Sequence, residues 1–286
     1  MSWELPGGLP PGRLVVPEPG HALDAGEEPA SGPALWVSDD PVPGAGPPWA
    51  RLLAAHSVSG LWPLLLTGLV SPPPSEDLGL YAEKQRGDAR RPWHAGELVP
   101  VPASRIDDVD AAGILAAQWG EVVTGIDYGP GSGPDEPDPI PYDAWPGLAD
   151  PGDGSANPDE TAAAIAMAPG GVRLLTGHDD DPYLGLTHSF DGAGAITASG
   201  WMPPRDAPEE IAAVVRSWQE RFGVRLCSLG FDTVGLSVAW PPRTHDHAQR
   251  VAAEHFAFCP DLEAMTTFGE YTESLAGNPV WRFWWD

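Results

Sequence analysis

Basic side chains are scarce in this sequence. Lysine occurs once, at Lys84, and Lys and Arg together number 15 against 41 Asp and Glu, a formal net charge of −26. A phosphate backbone is gripped by Lys and Arg that displace its counterions, and anionic lipid attracts the same residues. The balance therefore excludes both: no nucleic acid and no membrane as partners. The one lysine follows Glu83, so a Gly-rich phosphate loop ending in Gly-Lys is absent too. Cysteine is nearly missing. Cys227 and Cys259 are too few for a disulfide framework and read as small buried apolar groups in a reducing cytoplasm, with a single bridge between them left open. Long apolar runs are missing as well: Leu61 to Val70 holds Pro63 and falls short of the roughly 20 residues of a spanning helix. The first residues are broken by proline from Pro6 onward, with no basic start before an apolar stretch, so a cytoplasmic location is expected.

What is present is a globular composition, 42% hydrophobic with 13 Trp, punctuated by 34 Gly and 35 Pro. Such punctuation demands long irregular stretches between packed elements. The acids are unevenly spread. From Arg105 to Arg173 no basic residue intervenes among Asp107, Asp108, Asp110, Glu121, Asp127, Asp135, Glu136, Asp138, Asp143, Asp150, Asp153, Asp159 and Glu160. A field of this sign draws in a basic protein and speeds its encounter. Within the block, 127–160 is dense in Pro, Gly and Asp without an apolar period, and reads as a linker or long surface loop. It divides an N-terminal α/β module, 1–126, from a C-terminal α+β domain, 161–286.

In the first module "PALWVSD", "PPWARLLAAHSVSG" and "LWPLLLTGL" suggest strand, helix and strand, with Pro48 at the helix start and Trp49, Leu52, Leu53 and His56 as a stripe. "SPPPSEDLG" and "EKQRGDARRPWHAGE" read as exposed loops. "RIDDVDAAGILAAQWG" predicts a second helix facing inward through Ile106, Val109, Leu115 and Trp119. After the linker, "VRLLTG" reads as a strand. A helix opens at Pro208 with Ile211, Val214, Val215, Trp218 and Phe222 on one face and ends at Gly223. "VRLCSLG" and "DTVGLSVAW" follow as strands, the second placing Val234, Leu236, Val238 and Trp240 together. Thr267 and Glu270 make a capping box for a last helix closed by Gly277, and "VWRFWWD" is a final strand. The sum is an α+β fold, helices packed on a mostly antiparallel sheet.

The segment "THDHAQRVAAEHFAFCPD" carries most of the candidate chemistry. Thr244 is a good N-cap and Cys259, before Pro260, a good end, so it should be one helix. Ala248, Val251, Ala252, His255, Phe256 and Cys259 form its apolar stripe, which points His255 at the core with Glu254 at the stripe's edge. A zinc-protease helix needs two histidines one turn apart flanking an acid. His247 and His255 are eight residues apart, so His245 and His247 are only weak metal candidates and no metal or other cofactor is expected. Asp232 is the carboxylate expected to satisfy His255. A buried Asp–His pair serves structure and general-base catalysis alike. Asp232, Glu254 and His255 are therefore the catalytic candidates. "GHDDDPY" offers Asp179, Asp180 and Asp181 to a hard cation but lacks calcium-loop spacing. "GAGAITASG" has the wrong glycine spacing for a dinucleotide, and Ser237 lies inside a strand where a nucleophile elbow would need its end.

Four stretches, "RSWQERFG" from Arg216 to Gly223, "LGFDTVGLSVAWPP" from Leu229 to Pro242, "HAQRVAAEHFAFCPD" from His247 to Asp261 and "WRFWWD" from Trp281 to Asp286, resemble the bacterial domain of unknown function 4253, common in actinobacteria. "WPLLLTGL" and "AWPGLA" are similar to its longer actinobacterial members. The resemblance implies that Asp232, Glu254, His255 and the terminal Trp-Trp-Asp share one pattern, and it implies no particular reaction or cofactor. Three readings stay open: an acidic accessory or immunity-type module that binds a basic protein, a hydrolase built on the Asp/Glu/His cluster with or without a metal ion, and a purely structural interaction domain whose acidity is incidental.

Overall fold

The computed structural model describes residues 3–18, 32–68, 93, 98–124, 140–203 and 207–285. Among these residues seven strands form one sheet: β1 (Gly12–Val15), β2 (Leu35–Ser38), β3 (Leu61–Leu66), β4 (Tyr183–His188), β5 (Val224–Leu229), β6 (Thr233–Val238) and β7 (Val280–Trp284). Their order is β1-β2-β4-β3-β5-β6-β7, and every pairing is antiparallel except β3 with β5. The helices are α1 (Gly46–Ser59), α2 (Ser104–Asp107), α3 (Ala111–Thr124), α4 (Pro158–Met167), α5 (Gly171–Thr176), α6 (Gly192–Ala198), α7 (Pro208–Phe222), α8 (His245–Phe258), α9 (Leu262–Met265) and α10 (Phe268–Leu275). The fold is α+β, as the residue patterns predict.

Both faces of the sheet are covered, which is why β2, β3 and β6 are buried along their whole length. A bulge at Cys227 sorts the neighbours. Leu226 pairs with Leu236 and faces α6, whereas Ser228 pairs with Gly235 and donates to the Leu175 carbonyl of α5. On the first face, Trp281 and Phe283 of β7 meet Trp218 of α7 and His255 of α8. On the other, α4 lies along α1 and α5. There Asp159 of α4 ties β5 through Arg225 at 2.5 Å and α1 through His56 at 3.3 Å.

Two expectations change, and β1, β4, α4, α6 and α9 stand where no element was expected. "VRLLTG" is helix α5: left-handed Gly170 and Gly177 (φ 74° and 79°) close a single short turn at each end, and Leu174 is left exposed. "RIDDVDAAGILAAQWG" breaks into α2 and α3, and Asp110 bonds the Ala112 amide at the start of the second. Strand β4, "YLGLTH", was not expected, yet it stands between β2 and β3 near the middle of the sheet. The loop expected over 71–79 and nearly all of that over 83–97 lie outside the described residues. Trp93 is described, and it is buried with its indole bonded to the Thr67 carbonyl.

Strands from both sides of the division expected at 127–160 join this one sheet, with β3 bonded to β4 on one side and β5 on the other. Before α4 begins, the described part of that segment, 140–157, runs irregularly over α7 and α8. It is fastened there by Gly152 N–H to the Arg221 carbonyl and by Trp240 Nε1 to the Ala156 carbonyl.

Candidate functional site

Helix α8 forms as its caps predict. The Thr244 hydroxyl accepts the His247 amide, and Cys259, out of helical conformation, stops the helix before Pro260. Glu254 is fully buried on it. Its Oε1 accepts from the Ala149 amide at 2.7 Å and from Arg221 at 2.7 Å; its Oε2 accepts from the Trp218 indole at 2.8 Å and from Arg221 at 2.6 Å. Four donors saturate the carboxylate. Arg221 is filled in turn by the Ala149 carbonyl and the Ser217 hydroxyl, and its guanidinium sits 5.0 Å from the Phe222 ring centre. A bidentate pair with every lone pair met is the arrangement in which a buried charge is tolerated. It leaves Glu254 no capacity to accept a substrate proton.

His255 points into the core as its stripe predicts, and its partner differs from the expected one. Nδ1 lies 2.9 Å from the Tyr271 hydroxyl of α10, and no carboxylate among the described residues reaches the ring. Trp281, Trp218 and Phe283 stand edge-on around it at 4.4, 4.9 and 4.9 Å between ring centres. Burial first, and the Arg221 charge second, hold its pKa well below 6.5, so the ring is neutral. Burial likewise raises the Tyr271 pKa, so the phenol keeps its proton. These facts select the tautomer. If Nδ1–H donated to the phenol, both the phenolic proton and a bare Nε2 would lack partners. The O–H therefore donates to Nδ1, and Nε2–H is left against aromatic rings, a weak but real contact.

Asp232 lies elsewhere, in the β5–β6 turn. Its Oδ2 accepts from the Trp284 indole at 2.8 Å and its carbonyl from the Trp285 amide at 3.0 Å. It lines a cavity of about 530 Å³ where β3 ends and β4 begins, together with Pro41, Leu66, Thr67, Gly68, His178, Asp180, Asp181, Tyr183 and Phe231. The three catalytic candidates thus separate: Glu254 and His255 are sealed in the core, and Asp232 stands in an open cleft with Asp180 and Asp181. His245 is exposed, and His247 Nε2 donates to the Asp150 carbonyl at 2.8 Å. Among the described residues no three His, Cys, Asp or Glu side chains converge as metal ligands.

Both cysteines are free and buried. Burial pushes the Cys227 thiol up to about 12, which keeps it protonated and unreactive. Residue patterns drew attention to the aspartates of "GHDDDPY" but missed Arg221, Tyr271, His178, Thr67 and Phe231. Of these only Arg221 carried a signal: it falls three residues after Trp218 on α7, where a basic side chain borders the apolar face.

Residues 183–286 match the family model described as Domain of unknown function (DUF4253), which covers the four stretches in which the resemblance was read. No curated protein and no solved structure matches the chain. No helix among the described residues is long and apolar enough to cross a membrane.

Proposed function

We propose that this protein is an acidic binding module, an accessory or immunity-type protein whose surface meets and masks a basic protein partner. The observation that carries the reading is the imbalance of 41 acids against 15 bases. Part of the acid-rich block is neutralised internally, Asp107 by Arg216, Asp153 by Arg243 and Asp159 by Arg225. Asp108, Asp110, Asp143 and Asp150 remain on the exposed surface. A net field of this sign accelerates encounter with a basic surface and repels nucleic acid and anionic lipid. Free buried thiols at Cys227 and Cys259 are compatible with a cytoplasmic setting. The hydrolase alternative needs Asp232, Glu254 and His255 around one cleft, and their separation gives it no support.

The test is capture on immobilised protein from the cell's own lysate, at about 0.1 M and then about 1 M salt, where screening shortens from roughly 10 Å to 3 Å. A basic protein retained at the lower salt and released at the higher, and reconstituted as a purified pair, is the expected result. Absence of any salt-sensitive basic partner sinks the reading.

A further inference from the structure

We propose that the cleft at the ends of β3 and β5 is a binding site for an alkylguanidinium or alkylammonium group. It extends the binding-module reading, on which it rests for the source of that cation. Three carboxylates line the cavity: Asp180 and Asp181 from the turn before β4, and Asp232 from the β5–β6 turn. Asp179, the first of the run, is turned away to Arg173 at 2.8 Å. No Lys or Arg stands among the described lining residues. Thr67 lines the wall while only 8% exposed, and its hydroxyl has no hydrogen-bond partner among the described residues.

Two of the acids come from one turn and the third from another, and no three described His, Cys, Asp or Glu side chains converge as metal ligands. Carboxylates that do not form an ion cage suit a cation with spread charge or several donors better than a bare ion. Phe231, half exposed, and the half-buried Tyr183 add aromatic rings to the lining, and Leu66 and Pro41 add apolar contact for an alkyl stem. A volume of about 530 Å³ holds one such side chain with room to spare.

The wall is fixed before any ligand arrives. The Trp201 indole bonds the Gly230 carbonyl at 2.6 Å, the Trp93 indole bonds the Thr67 carbonyl at 2.9 Å, and Trp284 holds one oxygen of Asp232. Oδ1 of Asp232 is left without a partner among the described residues. Little ordering then opposes binding.

Calorimetry on the full chain tests this with three probes: a capped Gly-Arg-Gly peptide, its citrulline counterpart of the same shape without charge, and spermidine. The arginine peptide should bind at least about tenfold more tightly than the citrulline peptide, because charge-assisted hydrogen bonds are lost. Whichever of the arginine peptide and spermidine binds more tightly identifies the source, a protein side chain or a free amine. The indole N–H resonance of Trp284 should shift on binding, a readout on the unaltered protein that needs no variant. Asp180→Asn with Asp181→Asn, both exposed, should weaken binding with the fold intact, and adding Asp232→Asn should weaken it further. Equal binding of the two peptides, an unmoved Trp284 resonance, no binding of either cation, or unchanged affinity in these variants overturns the proposal. Salt-sensitive capture of a basic protein that survives in the triple variant would sink the cleft while leaving the acidic-surface reading intact.

Discussion

Replacing Glu254 by glutamine keeps the side chain's shape but removes the charge that Arg221 matches, and turns an amide N–H₂ toward groups that are themselves donors. A buried ion pair broken on one side costs about 3–5 kcal/mol, so urea unfolding of E254Q should show a loss of that size. A double replacement of Arg221 and Glu254 by Met and Leu should recover only part of it, since it leaves no orphaned charge but strands the Ala149 amide and the Trp218 indole N–H. His255 adds a pH dependence. Its folded pKa is depressed below 6.5 by burial, so below that pH the unfolded chain takes up a proton that the native ring refuses. The stability it contributes is whole above pH 6.5 and falls as pH drops, by about 1.4 kcal/mol per pH unit. Asp159, whose pKa is lowered by Arg225 and His56 against an opposing burial effect, adds its own loss at lower pH, beginning near 3.8. His255→Asn keeps an acceptor for Tyr271 and removes the titration, so its unfolding free energy should fall less steeply between pH 6.5 and about 4 than that of the parent. Helical spacing foretold that His255 points inward. It could not foretell the partner, because the residue across a packed interface comes from a distant part of the chain, here Tyr271 in place of Asp232.

Elements with a long period or a paired cap were legible in advance. Helix α7 repeats its apolar residues over four turns and is buried along that face, and Thr267 with Glu270 does cap α10. Short elements were not. "VRLLTG" is one turn long, and a run that short is too brief for period 2 and period 3.6 to differ. Its flanking glycines and its carbonyl contacts decide for α5. Strand β4 alternates Leu184 and Leu186 with Gly185 and Thr187, but both faces are buried, so the polar face that would mark a strand is missing. The packing of α5 supplies a prediction. A Cβ on Gly235 would overlap the Leu175 carbonyl and the Ser228 hydroxyl, and the first is backbone that cannot rotate away. Gly235→Ala should therefore cost about 1–3 kcal/mol, as overpacking does, and hydrogen exchange should quicken at α5 amides before it quickens in α8. Equal protection of α5 in variant and parent would mean that the sheet, and not the helix, gives way.

At the scale of the molecule, the order of strands matters more than their number. The family-matched region, 183–286, supplies β4, β5, β6 and β7, yet β4 and β5 do not touch; β3, from outside that region, fills the gap and is hydrogen-bonded to both. The linker-like composition of 127–160 suggested a boundary because irregular surface segments and domain linkers share the same residues. Strand pairing across it is a long-range property that no local pattern encodes. A fragment of residues 161–286 would retain α7, α8 and the buried Glu254–Arg221 pair but lose Leu61–Leu66 from the sheet's middle and the Ala149 amide from the Glu254 carboxylate. Two strand edges of apolar residues would then face water, a configuration that favours aggregation over folding. The fragment should lack a cooperative urea transition and the near-ultraviolet circular dichroism of fixed tryptophans, and co-expression with residues 1–160 should restore both. A cooperative transition in the fragment alone would show that β5–β6–β7 with α7 and α8 closes its own core, and that β3 is an addition to a domain already complete.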